Sequence, residues 1–283
     1  MFSGFRHPLI QTLLLLAASL MAHADEYDIA QSQQLRWQFS VAAGYGQYGS
    51  MLFDEKASNL VVMPRWSLYY QRFYLENLDV GFNLVETEHF SVDLSGKQNF
   101  DALSVRYASS EDSLIKSIAF NNVKVPISWN TELSEVLNLK KRHLSYLAGI
   151  SSYFRTDNVE IRSEWHTDIS GVHNGHEWNT LVRYQYQLHG LDLAPTFGIR
   201  RLDQHFANYY FGLANSETSD LLLNQPGPMW LPSVKLDASY EVLDNLRVMA
   251  SLKREWYPTR VTKSWFIGTR QHDIWFVGLM YRW

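Results

Sequence analysis

Apolar and polar residues alternate one for one along most of this chain. From Trp37 to Gly46, Trp37, Phe39, Val41, Ala43 and Tyr45 interleave with Gln38, Ser40, Ala42, Gly44 and Gly46, giving one apolar face and one small or polar face. A period of two marks a β-strand whose faces meet different surroundings. Leu60, Val62, Trp66, Leu68 and Tyr70 repeat it around Pro64, and Val80, Phe82, Leu84, then Phe90, Val92, Leu94, carry it on. The contrast is sharpest where Val159, Ile161, Ser163, Trp165, Thr167 and Ile169 oppose Asn158, Glu160, Arg162, Glu164, His166 and Asp168. Further strands run through Trp178, Val182, Tyr184 and Tyr186, through Leu191, Leu193, Phe197 and Ile199, through Val234, Leu236, Ala238 and Tyr240, and through Leu246, Val248, Ala250, Leu252 and Trp256. No helix-period run of comparable length competes.

A soluble, lipocalin-like barrel and a membrane barrel share this alternation with opposite faces inward. Here the apolar face carries the bulky residues, with Trp and Tyr near strand ends and Val, Leu or Ala between, as interfacial girdles around a lipid-facing band require. Connections alternate short and long. Thr87-Glu88, Thr156-Asp157, His189-Gly190 and Asp244-Asn245 read as tight turns; Phe100 to Arg142, Gly171 to Gly175, Gln204 to Leu231 and Pro258 to Gln271 read as longer links. That is the pattern of short periplasmic turns and longer extracellular loops. The predicted fold is an all-β, antiparallel transmembrane β-barrel. Placing both termini in the periplasm requires an even count, met by about 12 strands, or 10 if the stretch from Arg72 to Glu86 is overcounted. The long Phe100 to Arg142 connection has room for strand extensions and for a helical turn at Ser134 to Arg142.

The N-terminus places the chain in the envelope. Arg6 and His7 precede an apolar run from Leu9 to Met21 and an Ala22-His23-Ala24 cleavage site, a secretory signal expected to end before Asp25. The run is shorter than the roughly 20 residues that span a bilayer as a helix. The expected organisation is a signal at residues 1–24 and one barrel domain at 25–283. With no Cys in the chain, disulfides, thiol catalysis and thiolate metal sites are excluded. A net charge of -4 without a basic stripe offers nothing to a nucleic-acid backbone.

The chain ends on an aromatic strand in which Trp275, Val277, Leu279, Tyr281 and Trp283 share one face. This looks like the C-terminal insertion signal read by the barrel-assembly machinery. Arg72-Phe73-Tyr74-Leu75-Glu76 followed by Leu78-Asp79-Val80-Gly81-Phe82, then Asp168-Ile169-Ser170-Gly171 with Gly175, then Asn208-Tyr209-Tyr210-Phe211-Gly212, together with that last strand, resemble the MipA/OmpV family over nearly the whole mature chain. The resemblance implies an outer-membrane scaffold that joins a lytic transglycosylase to a bifunctional murein synthase, with outer-membrane lipid around it. The Phe100 to Arg142 insertion departs from the compact family pattern. A small diffusion channel, a surface adhesin and, less readily, an outer-membrane hydrolase stay open beside the scaffold, since a fold alone licenses none of them.

Candidate chemistry is sparse, and no cofactor is expected. His166, Asp168, His173, His176 and Glu177 crowd one stretch of sequence, but they match no zinc-type spacing and straddle a Gly-containing loop, so a solvated loop tip is expected there rather than a metal site. Ser170 and His166, four apart on a strand, would be separated by roughly 13 Å at about 3.3 Å per residue, too far for a nucleophile and its base. The polar face instead offers interleaved charges for the lumen: Glu160, Arg162, Glu164, Arg183, Arg200, Lys235, Asp237, Glu241, Arg247, Lys253, Glu255 and Arg282. In a barrel narrower than the 16 to 18 strands of a porin, such side chains are expected to meet and plug it. Deleting Trp283, or replacing both Tyr281 and Trp283 by Ser, is expected to impair assembly while leaving export intact. Membrane fractionation with heat-modifiable gel mobility checks this, and a normal yield of folded barrel from the double variant would remove the signal assignment.

Overall fold

The computed structural model describes residues 35–53, 56–105, 140–218 and 223–283. The expected signal at 1–24 and the helical turn expected at Ser134 to Arg142, except for its last three residues, lie outside them. The strands are β1 (Arg36–Tyr48), β2 (Ser58–Tyr70), β3 (Phe73–Glu76), β4 (Asp79–Glu86), β5 (Phe90–Asn99), β6 (Ser145–Arg155), β7 (Val159–Asp168), β8 (His176–Tyr184, resuming at Tyr186–Leu188), β9 (Leu191–Leu202), β10 (Met229–Leu243), β11 (Leu246–Trp256) and β12 (Gln271–Arg282). The two pieces of β8 hold one register against β9, so they count as one strand. Each strand pairs antiparallel with its neighbours in the chain, and β1 pairs with β12, closing a 12-strand up-and-down barrel.

Closure follows from the sequence at the seam. Gly44 of β1 faces Gly278 of β12. A Cβ added at either position would run into the facing backbone, at the Val277 or Ala43 carbonyl, so two glycines let these strands approach. The periplasmic turns are short because their residues suit them. His189 and Gly190, both at positive φ, join β8 to β9 as a two-residue hairpin. Thr87 Oγ1 and Thr156 Oγ1 accept from the backbone N–H groups of Phe90 and Val159, fixing the β4–β5 and β6–β7 turns.

The bulky face points outward. Leu94, Ile150, Phe197, Leu236, Leu252, Val277 and Leu279 stand exposed around the middle of the wall. Tyr45, Trp165, Trp178 and Trp230 ring the upper end, with Trp37, Phe73, Phe154, Tyr184, Tyr240 and Trp283 at the lower. Several ring members touch across strands: Trp178 and Trp230 at 5.7 Å, Tyr45 and Trp275 at 5.6 Å. Apolar rings exposed in two belts with aliphatic residues between them are a lipid-facing surface.

The largest apolar core lies across the extracellular mouth. A short helix α1 (Asp101–Ser104), a second helix α2 (Gln204–Phe211) and a 3-10 turn (Thr259–Lys263) fold inward over the barrel. Asp203 caps α2 by accepting the Phe206 N–H at 2.8 Å, and the helix buries Phe206, Ala207, Tyr210 and Phe211, one face at helical spacing. These pack with Leu213 of the same connection and with Met51, Leu52, Ala102, Val105, Tyr257, Val261, Phe266 and Ile267 from the other extracellular connections. Backbone bonds sew the loops together: Met51 N to Ser104 O at 2.7 Å, Phe53 N to Phe266 O at 2.8 Å and Gly268 N to Met51 O at 2.8 Å. Arg142 grips Glu217 through both terminal nitrogens, at 2.6 and 3.1 Å. The described residues of the Gln204 to Leu231 stretch, expected as a surface loop, therefore form a folded lid. Phe206→Ala is expected to cost about 3–5 kcal/mol of lid stability. Hydrogen exchange should then rise at residues 49–53, 204–218 and 257–270 while the wall strands stay protected; unchanged lid protection would contradict the packing described.

Candidate functional site

Inner positions of the strands carry the charges, and beneath the lid these charges join into a layer. On β7, Glu164 and His166 are buried while their neighbour Trp165 is exposed. Arg162 Nε lies 3.2 Å from Glu164 Oε1, and Glu164 Oε2 lies 3.1 Å from Lys97 Nζ of β5. Lys97 also reaches Glu177 Oε1 of β8 at 2.6 Å, and Glu177 Oε2 lies 3.5 Å from Arg200 of β9. Arg200 holds Asp101, the first residue of α1, through two bonds of 3.0 Å and meets Glu255 of β11 at 3.4 Å. Glu255 in turn accepts from Tyr257 at 2.9 Å. Since β5 and β8 are not wall neighbours, and α1 follows β5 while Arg200 is on β9, these pairs are chords across the lumen. The Arg200 guanidinium also lies 5.9 Å from the Phe206 ring, which ties the layer to the lid above it.

The other expected lumen charges lie outside this layer, and several make local pairs. Lys235 meets Asp237 at 2.8 Å, Arg247 meets both Asp192 and Glu241 at 2.8 Å, and Arg155 meets Glu160 at 3.1 Å. These are half-exposed side chains in the lower lumen, so each pair contributes little by itself. Lys253 stands directly across from Lys235, Arg183 keeps a buried Nε with no hydrogen-bond partner among the described residues, and Arg282 sits at the exposed end of β12. Sequence reasoning missed Lys97 and Asp101 and weighed Glu177 only as a metal ligand. Lys97 was within reach, since Ser91, Asp93, Ser95 and Lys97 form the polar alternate of Phe90, Val92 and Leu94. Asp101 was not, because only the fold turns α1 inward.

Opposite this layer the lumen is apolar. Ala42, Leu60, Met249 and Phe276 form a buried cluster with Met63, Leu103, Ile274 and Met280 packed against it. The wall residues of the C-terminal strand lie on the other side: Val277, Leu279, Tyr281 and Trp283 are exposed, and Trp275 is half-buried against Tyr45. Trp283 meets Tyr281 edge to face at 4.6 Å and Phe39 at a tilt at 5.3 Å, and its backbone N–H donates to Phe39 O at 3.1 Å.

The crowded histidine stretch disperses. His176 meets Asp203 at 3.2 Å, His166 Nε2 meets Ser95 Oγ at 2.8 Å, and Glu177 belongs to the charge layer. Asp168 organises its own loop, accepting the N–H groups of Ser170, His173 and Asn174 at 2.7–2.9 Å and the Ser170 hydroxyl at 2.6 Å. His173, expected at a solvated loop tip, is instead buried under α2 against Phe206 and Tyr210. Burial pushes its imidazole down from its ordinary range.

Ser145, His173 and Asp168 resemble a catalytic triad in outline, with Ser145 Oγ 3.1 Å from His173 Nε2 and Asp168 Oδ2 3.9 Å from Nδ1. The proton positions run the wrong way. His173 Nδ1 accepts from the Gly175 N–H at 3.0 Å, so Nε2 carries the proton and donates to Ser145. Ser145 also accepts from Asn99 at 3.1 Å and is fully buried. A general base needs a free lone pair toward its nucleophile, and this imidazole has spent its own on a backbone amide. The arrangement anchors the loop to β6 and α2.

The sequence matches the family described as MltA-interacting protein MipA over residues 39–283. The outer membrane protein YiaT of Escherichia coli O157:H7 is 23% identical over 247 residues, covering 87% of this chain and 91% of that one. The MltA-interacting protein of Escherichia coli K12 is 25% identical over 150 residues, 52% of this chain and 60% of that protein. A closed wall with lipid-facing belts and a match that runs from within β1 to the last residue place the chain in the outer membrane as a member of the MltA-interacting protein MipA family.

Proposed function

We propose that this barrel is a membrane-fixed scaffold that carries no chemistry of its own and holds a lytic transglycosylase, with a bifunctional murein synthase, at its periplasmic rim. The observation that carries this reading is the sealed extracellular mouth. Among the described residues, an apolar lid rests on a charge layer that spans the lumen, which opposes the channel alternative and leaves the short turns as the surface open to the periplasm. The name of the Escherichia coli K12 relative, MltA-interacting protein, gives the partner class. The reversed proton order at His173 opposes a hydrolase. Assembly would use the outward aromatics from Trp275 to Trp283 as the signal to the insertion machinery, after removal of residues 1–24.

Periplasmic cross-linking of the full-length protein in its native host is expected to capture a murein hydrolase, and capture should survive removal of lid residues 204–218. Capture lost with the lid alone, or no murein enzyme captured, would refute the scaffold. The lumen has its own test. Purified wild-type protein in a planar bilayer is expected to be nearly silent, with steady conductance when Arg200→Ala is combined with removal of residues 204–218. Large, salt-proportional conductance from the wild type would restore the channel reading.

A further inference from the structure

Among the described residues the wall is complete except at one place. The β3–β4 hairpin is short and stops partway up: β3 pairs with β2 only from Phe73–Tyr70 to Glu76–Ser67, after which Asn77 N donates to Trp66 O at 2.8 Å and Trp66 N to Asn77 Oδ1 at 3.1 Å. Above Trp66, β2 continues through Ser58–Arg65 with β1 as its only strand partner among the described residues. The far side of the gap is β5, which β4 meets up to Gly96 and Asp79 extends by accepting the Gln98 N–H at 3.2 Å. The top is closed where Met51 N meets Ser104 O of α1. From Leu60 to Arg65 this window is on the order of 20 Å long, at about 3.3 Å per residue. It lies between the two aromatic belts, within the depth of the lipid.

The chemistry of the rim identifies what passes or rests there. Trp66 directs both its N–H and its C=O at the hairpin, and backbone groups alternate sides along a strand, so Pro64 and Val62 direct theirs at the open edge. Pro64 has no N–H to offer. A peptide strand adding at this edge would lose a ladder bond at the middle, which is the usual way an edge is protected from strand addition. What remains is a short polar strip, the Val62 amide and the Pro64 carbonyl, set among apolar side chains. Val62, Leu78 and Val80 are exposed on the outer lip. Leu60 and Met63 of β2 and Leu103 of α1 continue inward to Phe276 and Met249.

We propose that the gap between β2 and the β3–β4 hairpin is a lateral lipid site, where an acyl chain of an outer-leaflet lipid enters the wall and lies against the apolar half of the lumen. The ester or amide carbonyl at the root of the chain accepts the Val62 N–H at the open edge, a backbone donor that hydrocarbon alone would leave unbonded. Among the described residues the lid and the charge layer lie between this buried cluster and the extracellular side, whereas Leu60 and Met63 carry it to the edge of the window.

The natural chain has no Cys, so single-cysteine reporters are clean. Met63→Cys and, separately, Leu103→Cys carry an environment-sensitive fluorophore in folded, heat-modifiable barrels, reconstituted in vesicles containing phospholipid with a nitroxide on its acyl chain. Val41→Cys on the outer wall and Ser251→Cys in the lumen of β11 are the references. Quenching at Met63 and Leu103 comparable to that at Val41 and several-fold above that at Ser251 is expected. Quenching at both sites no greater than at Ser251 would overturn the proposal, and two positions on different elements keep the test valid if one label disturbs folding.

Discussion

A peptide group placed in hydrocarbon has no water to bond, and leaving it unbonded costs several kcal/mol. The wall is the answer to that constraint. Consecutive strands pair, the last returns to the first, and the seam between β1 and β12 is made close by Gly44 and Gly278. Once the ring closes, a side chain has two destinations, lipid or lumen, and the period of two assigns each residue to one of them. A slip of one residue would send Trp165 inward and Glu164 into the bilayer, so register is fixed as firmly by what lies outside as by the hydrogen bonds themselves.

The same parity brings charges into a narrow space. Burying a charge is costly unless it is paired and bonded. The layer resolves this by alternation: Lys97 lies between Glu164 and Glu177, and Arg200 lies among Glu177, Asp101 and Glu255. Arg200 suits the centre because a planar guanidinium with five donors can hold a carboxylate in two bonds and still face others, where an ammonium acts as a point charge. It also lies under Phe206. The lid therefore rests on a charged floor, and lid and floor constrain each other: removing Asp101 from the floor also removes what ties α1 to Arg200.

What the sequence made legible follows from range. Strand faces, the tight turns and the C-terminal aromatics depend on residues within a few positions of one another and were readable, including the short β3 whose presence settles 12 strands over 10; Leu60, read onto the outward face with Val62, is an exception, turned inward beside the register shift between β1 and β2. The lid depends on contacts between four separate connections. Its helix α2 did carry local marks, with Asp203 as cap and Phe206, Ala207, Tyr210 and Phe211 at helical spacing, but these were overshadowed by the strand pattern on both sides. The partner of each lumen charge was less accessible still. Lys97 reaches Glu177 across strands that are not neighbours, and no periodicity encodes a chord. His173 shows the same limit: its loop reads as solvated until α2 is folded over it.

Sealing one end of a barrel while interrupting its side gives the molecule a direction. A plug that served only stability would not need a break in the wall, because each backbone group there without a strand partner among the described residues works against the constraint that shapes the rest. The break coincides with the one stretch where β2 carries a proline, Pro64, whose missing donor falls on the open edge, and with the apolar half of a lumen whose other half is charged. Those features are separable in sequence and converge only in the folded wall. Their convergence fits a protein that is closed toward the outside and meets its surroundings from the membrane and the periplasm, the two compartments that a periplasm-facing scaffold anchored in lipid must join.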